Sequence, residues 1–123
     1  MGVAIMRTLF AVLALALSLP TAAAETDQAA AVIAMQQPNA VLIDVRTPQE
    51  VAEGTIPGSR NIGYEDIAAR IAEVAPDKNT PIVLYCRSGR RSGIAQDSLR
   101  ELGYKQVING GGYLDLKTAL HKD

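Results

Sequence analysis

Two short apolar runs constrain the fold most, VLIDVR (41–46) and PIVLYC (81–86). PIVLYC does not alternate between apolar and polar residues, as a strand with one solvent-facing side would. A short continuous run rich in β-branched residues is typical of a strand covered on both faces, and such strands occur in parallel sheets. The sequence therefore predicts a parallel sheet that contains these two strands.

The segments around these strands carry helical periodicity or turn residues. Helices are predicted near 29–37, 49–53, 64–75, 92–102 and 113–120, brief strands at 61–62 and 105–108, and a turn at 109–112. Strands that alternate with helices indicate a parallel sheet with helices packed against it. We therefore expect an α/β fold with a small, mostly parallel sheet flanked by helices on both faces.

Residues 1–24 have the pattern of a secretory signal peptide. Arg7 precedes the apolar run LFAVLALALSL, and Pro20 and the alanines at 22–24 follow it. The run is shorter than the roughly 20 residues of a membrane-spanning helix, so an uncleaved anchor is the weaker alternative. Glu25 stands where a lipid anchor would need cysteine. We predict cleavage after Ala24, a single domain at 25–123, and a periplasmic or secreted location.

The charge balance excludes some partners. The chain has a net charge of −1, and removal of Arg7 with the leader would make it −2. This balance gives no reason to expect nucleic acid as a partner, or a membrane after cleavage. The sequence shows neither metal-ligand spacing nor a phosphate-binding P-loop, and the one histidine, His121, is interpreted as a solvated residue near the terminus. We expect a monomer without a metal or cofactor.

The chain contains one cysteine, Cys86, in the segment YCRSGRRS (85–92). Exported proteins usually oxidise their thiols in pairs, and a single cysteine has no internal partner. It is therefore either a buried structural residue or a reactive thiol. Three arginines within five residues are hard to place around an inert core thiol, so this segment favours the reactive one.

Cys86 is predicted to lie at the carboxyl end of a central strand, about five residues before a helix. Ligands of open α/β sheets bind at this edge. The loop at 87–91 can turn its N–H groups inward to form an anion-binding nest, and the helix N-terminus adds further donors. Gly89 can adopt backbone angles closed to other residues. This environment would lower the thiol pKa from about 8.5 by one to several units, which favours the nucleophilic thiolate.

Four segments together resemble the rhodanese family, the sulfurtransferases of single-domain type. They are LIDVRTPQEVAEGTIPGSRNI (42–62), PIVLYCRSGRRS (81–92), DSLRELGY (97–104) and VINGGGY (107–113). The resemblance implies a rhodanese-like fold with Cys86 as the catalytic cysteine. It also implies a double displacement: the thiolate takes the outer sulfur of thiosulfate, releases sulfite and becomes a persulfide, from which cyanide or a thiol then removes the sulfur. No cofactor is implied, because the protein itself carries the sulfur.

The donor anion is predicted to bind the loop that follows the cysteine. The candidate substrate-binding residues are Arg87, Ser88, Gly89, Arg90, Arg91 and Ser92. Arg90 is the first choice for contact with the anion, whereas Arg87 and Arg91 could equally be rim charges or ion-pair partners. Ser92 is expected to cap the helix in preference to binding the anion.

The chain departs from the family pattern at two positions outside the loop. Thr55 stands where the family often has histidine, and Tyr113 where it often has tryptophan. Asp44 and Arg46 are expected to form a structural pair with Glu50 or with loop backbone.

Three alternatives remain open for the cysteine. A cysteine phosphatase or arsenate reductase has the pattern C-x5-R-[ST], whereas this loop places arginine one position early, at Arg91, and Ser92 at the sixth position. A non-enzymatic sulfur-relay or binding module is the second alternative; the resemblance implies that domains of this fold without activity typically lack the cysteine, which this chain keeps. A redox thiol would need a resolving cysteine, which the chain lacks.

Overall fold

A computed structural model of the protein describes residues 25–122, so the predicted signal peptide lies outside the described residues. The strands are β1 (Val41–Asp44), β2 (Arg60–Asn61), β3 (Ile82–Cys86) and β4 (Val107–Gly112). The helices are α1 (Gln28–Ala34), α2 (Pro48–Ala52), α3 (Ile67–Arg70), α4 (Arg90–Glu101) and α5 (Tyr113–Ala119). Within this part of the chain, every helix is too short or too polar to span a bilayer.

The strands form one parallel sheet in the order β2-β1-β3-β4. All five residues of β3 are buried, as the continuous apolar run predicts. β1 and β3 lie side by side, with Val41 opposite Ile82 and Asp44 opposite Tyr85. The prediction of a parallel sheet built on these two strands is confirmed.

Alternate residues of β3 face two separate cores. Ile82 and Leu84 pack with α3 and α4 on one face, whereas Val83 and Tyr85 pack with α1 and α5 on the other. This division follows from the two-residue period of a strand, which sends neighbouring side chains to opposite faces. Helices cover both faces, as expected from the sequence.

The segment NGGG (109–112) was predicted as a turn, and that prediction is wrong because it continues β4. A Cβ atom on Gly110 would lie 2.9 Å from Leu116 Cδ2 and 3.2 Å from the Leu84 carbonyl oxygen. Glycine is therefore present here for close packing between β4, β3 and α5. The pairing of β3 with β4 is also irregular between Leu84 and Cys86, where Cys86 pairs with Gly112.

The predicted helix at 64–75 is shorter than expected. It spans Ile67–Arg70 and continues as a 3₁₀ turn at Ile71–Glu73. Ile67 and Ile71 are nevertheless buried, and Val74 packs against the same core, as the helical periodicity of this segment indicates. The 3₁₀ turn tightens the chain ahead of the loop that leads to β3.

The segment before α1 lies against the loop that follows β3. The Asp27 N–H donates to the Asn109 carbonyl oxygen at 2.8 Å, and the Asp27 carboxylate caps α1 by accepting from the Ala30 N–H at 2.9 Å. A Cβ atom on Gly89 would lie 2.7 Å from the Thr26 methyl carbon. Thr26 is thus packed directly behind the loop.

Candidate active site

Cys86 is the last residue of β3, and α4 begins four residues later at Arg90. Gly89 precedes α4 as its N-cap in the left-handed conformation, with φ of 98°. A residue with a side chain rarely adopts this angle, so glycine allows the chain to turn from the strand into the helix within a few residues. The predicted order of strand end, cysteine, loop and helix N-terminus is observed.

The sulfur of Cys86 lies beside a backbone N–H group and a hydroxyl group. The Gly89 N–H donates to Sγ at 3.0 Å, and Ser92 Oγ lies 3.5 Å from Sγ. Burial raises the pKa of the thiol. The Ser92 hydroxyl and the N–H groups of Ser92, Ser88 and Gly89 lower it by more, so the pKa of Cys86 falls below its ordinary value. The site therefore stabilises the thiolate more than water does.

Cys86 exposes only 1% of its surface. Low exposure is what the structural interpretation of the cysteine requires. The N–H groups directed at Sγ are not needed by a structural thiol, since a thiol is a weak acceptor, whereas a thiolate requires strong donors once it leaves water. The polarity of its surroundings therefore favours a functional sulfur.

The three loop arginines have different surroundings. Arg91 donates from Nη1 and Nη2 to the two carboxylate oxygens of Glu50 at 2.8 and 2.9 Å. These bonds, followed by that from the Thr47 N–H, lower the pKa of Glu50 to about 2. The Arg87 side chain is 79% exposed and lies 3.8 Å from Glu50. Arg90 is exposed at the first position of α4.

The first turn of α4 carries two positive side chains, Arg90 and Arg91. The N-terminus of a helix is the positive end of its dipole, so cations are unfavourable there and anions are stabilised. Glu50 neutralises Arg91, but Arg90 adds to the positive potential at this end of the helix. A thiolate in the loop and an anionic ligand beside it would both relieve this repulsion.

Ser92 does not cap α4, so the capping prediction is wrong. Gly89 occupies the N-cap position because its left-handed conformation starts the helix earlier than predicted. Ser92 is buried in the first turn, and its hydroxyl donates to Asn109 Oδ1 at 2.7 Å. Asn109 was missed because its segment was interpreted as a turn. The signal that could have found it is a polar residue that ends an apolar strand at the same sheet edge as Cys86.

Asp44 and Arg46 form the expected structural pair. Arg46 Nη2 lies 2.6 Å from Asp44 Oδ2, Nε donates to Oδ1 at 2.9 Å, and Nη2 also donates to the Gly54 carbonyl oxygen at 2.7 Å. The partner is therefore loop backbone, while Glu50 pairs with Arg91. The Arg46 guanidinium carbon lies 4.4 Å from the centre of the Tyr113 ring, so this tyrosine covers the buried cation.

Thr55 lies under the sheet edge rather than in the loop. Its hydroxyl donates to Asp44 Oδ2 at 2.8 Å and lies within 2.9 Å of the Ser59 and Tyr85 hydroxyls. Thr55 therefore links Asp44 to the polar end of Tyr85. At this position the chain has a half-buried hydroxyl group in place of the family's histidine.

Three further polar residues, Glu65, Asp66 and His121, are exposed. Asp66 is the N-cap of α3, and His121 has a positive φ of 57°. Among residues 25–122, no group of three His, Cys, Asp or Glu side chains has the geometry of a metal site.

Cys86 lies at the carboxyl end of a central parallel strand, in a loop that leads into a helix, which is the edge of an α/β sheet where ligands bind. Residues 27–118 match the family described as the rhodanese-like domain. The chain belongs to this family, and the rhodanese-like fold expected from the sequence is confirmed.

Named relatives narrow the class further. The chain is 42% identical over 74 residues to thiosulfate sulfurtransferase PspE of Escherichia coli, an alignment covering 60% of this chain and 71% of the relative. It is 41% identical over 69 residues to a sulfurtransferase of Allochromatium vinosum, covering 56% and 63%. A solved structure described as a rhodanese with anions from E. coli superposes with a TM-score of 0.60 at 41% identity, covering 62% and 89%. These relatives support an enzyme of the sulfurtransferase kind.

Proposed function

We propose that the protein is a sulfurtransferase that carries a sulfane sulfur as a persulfide on Cys86. The observation that carries the proposal is the Gly89 N–H, which donates to Sγ at 3.0 Å from a loop that lowers the thiol pKa. The relatives named thiosulfate sulfurtransferases make thiosulfate the first donor to test.

In the first step, the Cys86 thiolate attacks the outer sulfur of thiosulfate. The bond between Cys86 Sγ and that sulfur forms, the sulfur–sulfur bond of thiosulfate breaks, and its electron pair leaves on sulfite. One negative charge stays on the terminal sulfur of the persulfide, and two leave with sulfite. The loop N–H groups and the N-terminus of α4 stabilise this charge throughout.

In the second step, the acceptor attacks the terminal sulfur of the persulfide. Cyanide forms a carbon–sulfur bond and leaves as thiocyanate, while a thiolate acceptor leaves as its own persulfide. The electron pair of the broken sulfur–sulfur bond returns to Cys86 Sγ. Because the loop stabilises that thiolate, Cys86 is a good leaving group, and no separate base is needed when Cys86 is already ionised.

Cys86 exposes 1% of its surface. We expect the donor to reach Sγ past the side chains of Arg87, Ser88 and Arg90, which are exposed on the loop. The ion pair between Arg91 and Glu50 and the bond from Asn109 to the Gly89 carbonyl hold the backbone of the loop in place.

Intact mass spectrometry after treatment with thiosulfate tests the proposal. We expect the mass of one sulfur atom to be added to the protein, to map to the peptide that contains Cys86, and to be removed by cyanide. The Cys86→Ser variant should gain nothing. A wild-type protein that gains no sulfur from thiosulfate, while it hydrolyses an aryl phosphate, would contradict the proposal and favour the phosphatase alternative.

Export of the protein is part of the same proposal. The leader-like pattern at 1–24 supports cleavage after Ala24. The intact mass of the protein recovered from a periplasmic or secreted fraction should be that of a chain that begins at Glu25. Recovery of the full chain in the cytoplasmic fraction would contradict export without affecting the assignment of Cys86.

Arg90 and Arg91 should respond differently to substitution by alanine. We expect Arg90→Ala to raise KM for thiosulfate roughly tenfold, since it removes a charge-assisted contact to the anion. The same change should leave the melting temperature equal or slightly higher, because a cation leaves the positive end of a helix.

Arg91→Ala is the matched comparison. We expect it to lower the free energy of unfolding by about 1 kcal/mol, the upper range for a partly exposed ion pair, because Glu50 loses its partner. Steady-state kinetics and urea unfolding of both variants check the pair. If Arg90→Ala lowers stability and leaves KM unchanged, Arg90 has a structural role.

A further inference from the structure

We propose that Asn109 is a positioning residue that holds the Ser92 hydroxyl and the Gly89 carbonyl in the geometry that keeps the Cys86 sulfur ready for attack. The proposal deepens the proposed sulfur transfer and rests on it for its biological meaning. Asn109 does not contact Sγ in the hydrogen-bond network; it acts through the two residues that do.

The side-chain amide of Asn109 joins three parts of the site. It lies in β4 with 1% of its surface exposed. Its Nδ2 donates to the Gly89 carbonyl oxygen at 2.8 Å, and its Oδ1 accepts from Ser92 Oγ at 2.7 Å and from the Gly111 N–H at 3.0 Å. A carbonyl partner on one side and an N–H partner on the other fix which end of the amide is which.

The single hydroxyl proton of Ser92 has two possible acceptors. When Cys86 is protonated, the thiol donates to Ser92 Oγ and the hydroxyl donates to Asn109 Oδ1. When Cys86 is ionised, the hydroxyl turns from Oδ1 to the thiolate, 3.5 Å away. This rotation exchanges one acceptor for another and breaks no covalent bond; the thiol proton leaves to solvent.

When the Ser92 hydroxyl turns towards the thiolate, Asn109 Oδ1 still accepts a hydrogen bond. Its Oδ1 keeps the Gly111 N–H at 3.0 Å after the hydroxyl has turned. Leaving a buried acceptor with no donor would cost free energy, and that cost would oppose ionisation of the cysteine. The second bond to Oδ1 removes the cost, so the arrangement accommodates both protonation states of Cys86.

The other end of the amide fixes the turn. The Gly89 carbonyl accepts from Asn109 Nδ2 and also from the Gly93 N–H at 3.1 Å. Gly89 has a φ of 98°, and its own N–H is the donor that lies 3.0 Å from Sγ. Holding the carbonyl of this residue from β4 therefore limits how its N–H is directed at the sulfur.

The test measures ionisation of Cys86 in the absence of any sulfur donor. Asn109→Asp keeps the shape of the side chain, but it places a carboxylate against the Gly89 carbonyl and adds a negative charge near the thiolate. We expect the midpoint of the ultraviolet thiolate absorbance to rise by at least about one pH unit, and the rate of alkylation by iodoacetamide at neutral pH to fall about tenfold. Ser92→Ala, which removes the hydroxyl donor to the thiolate, should shift the midpoint in the same direction.

Gln96→Ala is the matched control. Like Ser92, Gln96 is buried on α4, and its amide donates to the Val107 carbonyl of β4 at 2.9 Å. It thus links the same two elements without contact to the loop. We expect Gln96→Ala to lower the melting temperature and to leave the thiolate midpoint unchanged.

An Asn109→Asp protein that has a lower melting temperature than the wild type, but keeps the wild-type thiolate midpoint and alkylation rate, would overturn the proposal. If Asn109→Asp does not fold, the test rests on Ser92→Ala. A thiolate midpoint that stays at the wild-type value in Ser92→Ala also overturns the proposal. The midpoint is independent of sulfur transfer. Failure of the proposed function would appear instead as a wild-type protein that gains no sulfur from thiosulfate.

Discussion

The Cys86→Ser variant is expected to lose sulfur transfer by at least about 1,000-fold, a loss of the size seen when an enzyme's nucleophile is removed. Serine cannot form a persulfide, and its hydroxyl stays protonated near neutral pH. The assay is transfer from thiosulfate to cyanide, measured as thiocyanate.

The fold of this variant should persist. Serine is close to cysteine in shape, and its oxygen can accept from the Gly89 N–H that now donates to Sγ. We expect the free energy of unfolding to change by less than about 1.5 kcal/mol. Turnover near the wild-type rate in a folded Cys86→Ser protein would refute the role of Cys86 as nucleophile.

The Asp44→Ala variant is expected to be destabilised by about 3–5 kcal/mol, because it leaves a buried guanidinium without its counterion. The Asp44 side chain is fully buried and that of Arg46 is 7% exposed. Thr55 would also lose the acceptor of its hydroxyl. The measurement is urea unfolding of the purified domain at neutral pH.

Two further variants define the cause of this loss. Asp44→Asn keeps an acceptor for Arg46 and should be less destabilising than Asp44→Ala. Glu65→Ala removes a carboxylate from an exposed position ahead of α3 and should change stability by less than about 0.5 kcal/mol. If Asp44→Ala were as stable as Glu65→Ala, the pair between Asp44 and Arg46 would contribute nothing to the fold.

The parts of the fold that the sequence predicts are those with a strong local signal. The apolar runs at 41–46 and 81–86 indicate two buried parallel strands, and they are neighbours in the sheet. The position of Cys86 at the end of a strand could be predicted from the second run, because arginine, serine and glycine follow the cysteine. A strand end, a flexible loop and a helix start are all encoded within about ten residues.

The parts that the sequence did not predict depend on contacts between distant residues. Arg91 pairs with Glu50 across 41 positions, and a local pattern does not tell which of three arginines is neutralised. The segment 109–112 has the composition of a turn, but it is a strand because Gly110 must pack between Leu84 and Leu116. Asn109 was missed for the same reason, since its role depends on how β4 meets the loop.

The packing of Thr26 behind Gly89 matters for how the protein is handled in the laboratory. Any fusion partner or purification tag joined ahead of Glu25 is attached two residues before Thr26, which packs against the cysteine loop. Its bulk could then pull on the backbone that directs donors at Cys86. A tag placed after α5 avoids this interference. Comparing the proteins tagged at either end measures how strongly the amino-terminal segment stabilises the loop after Cys86.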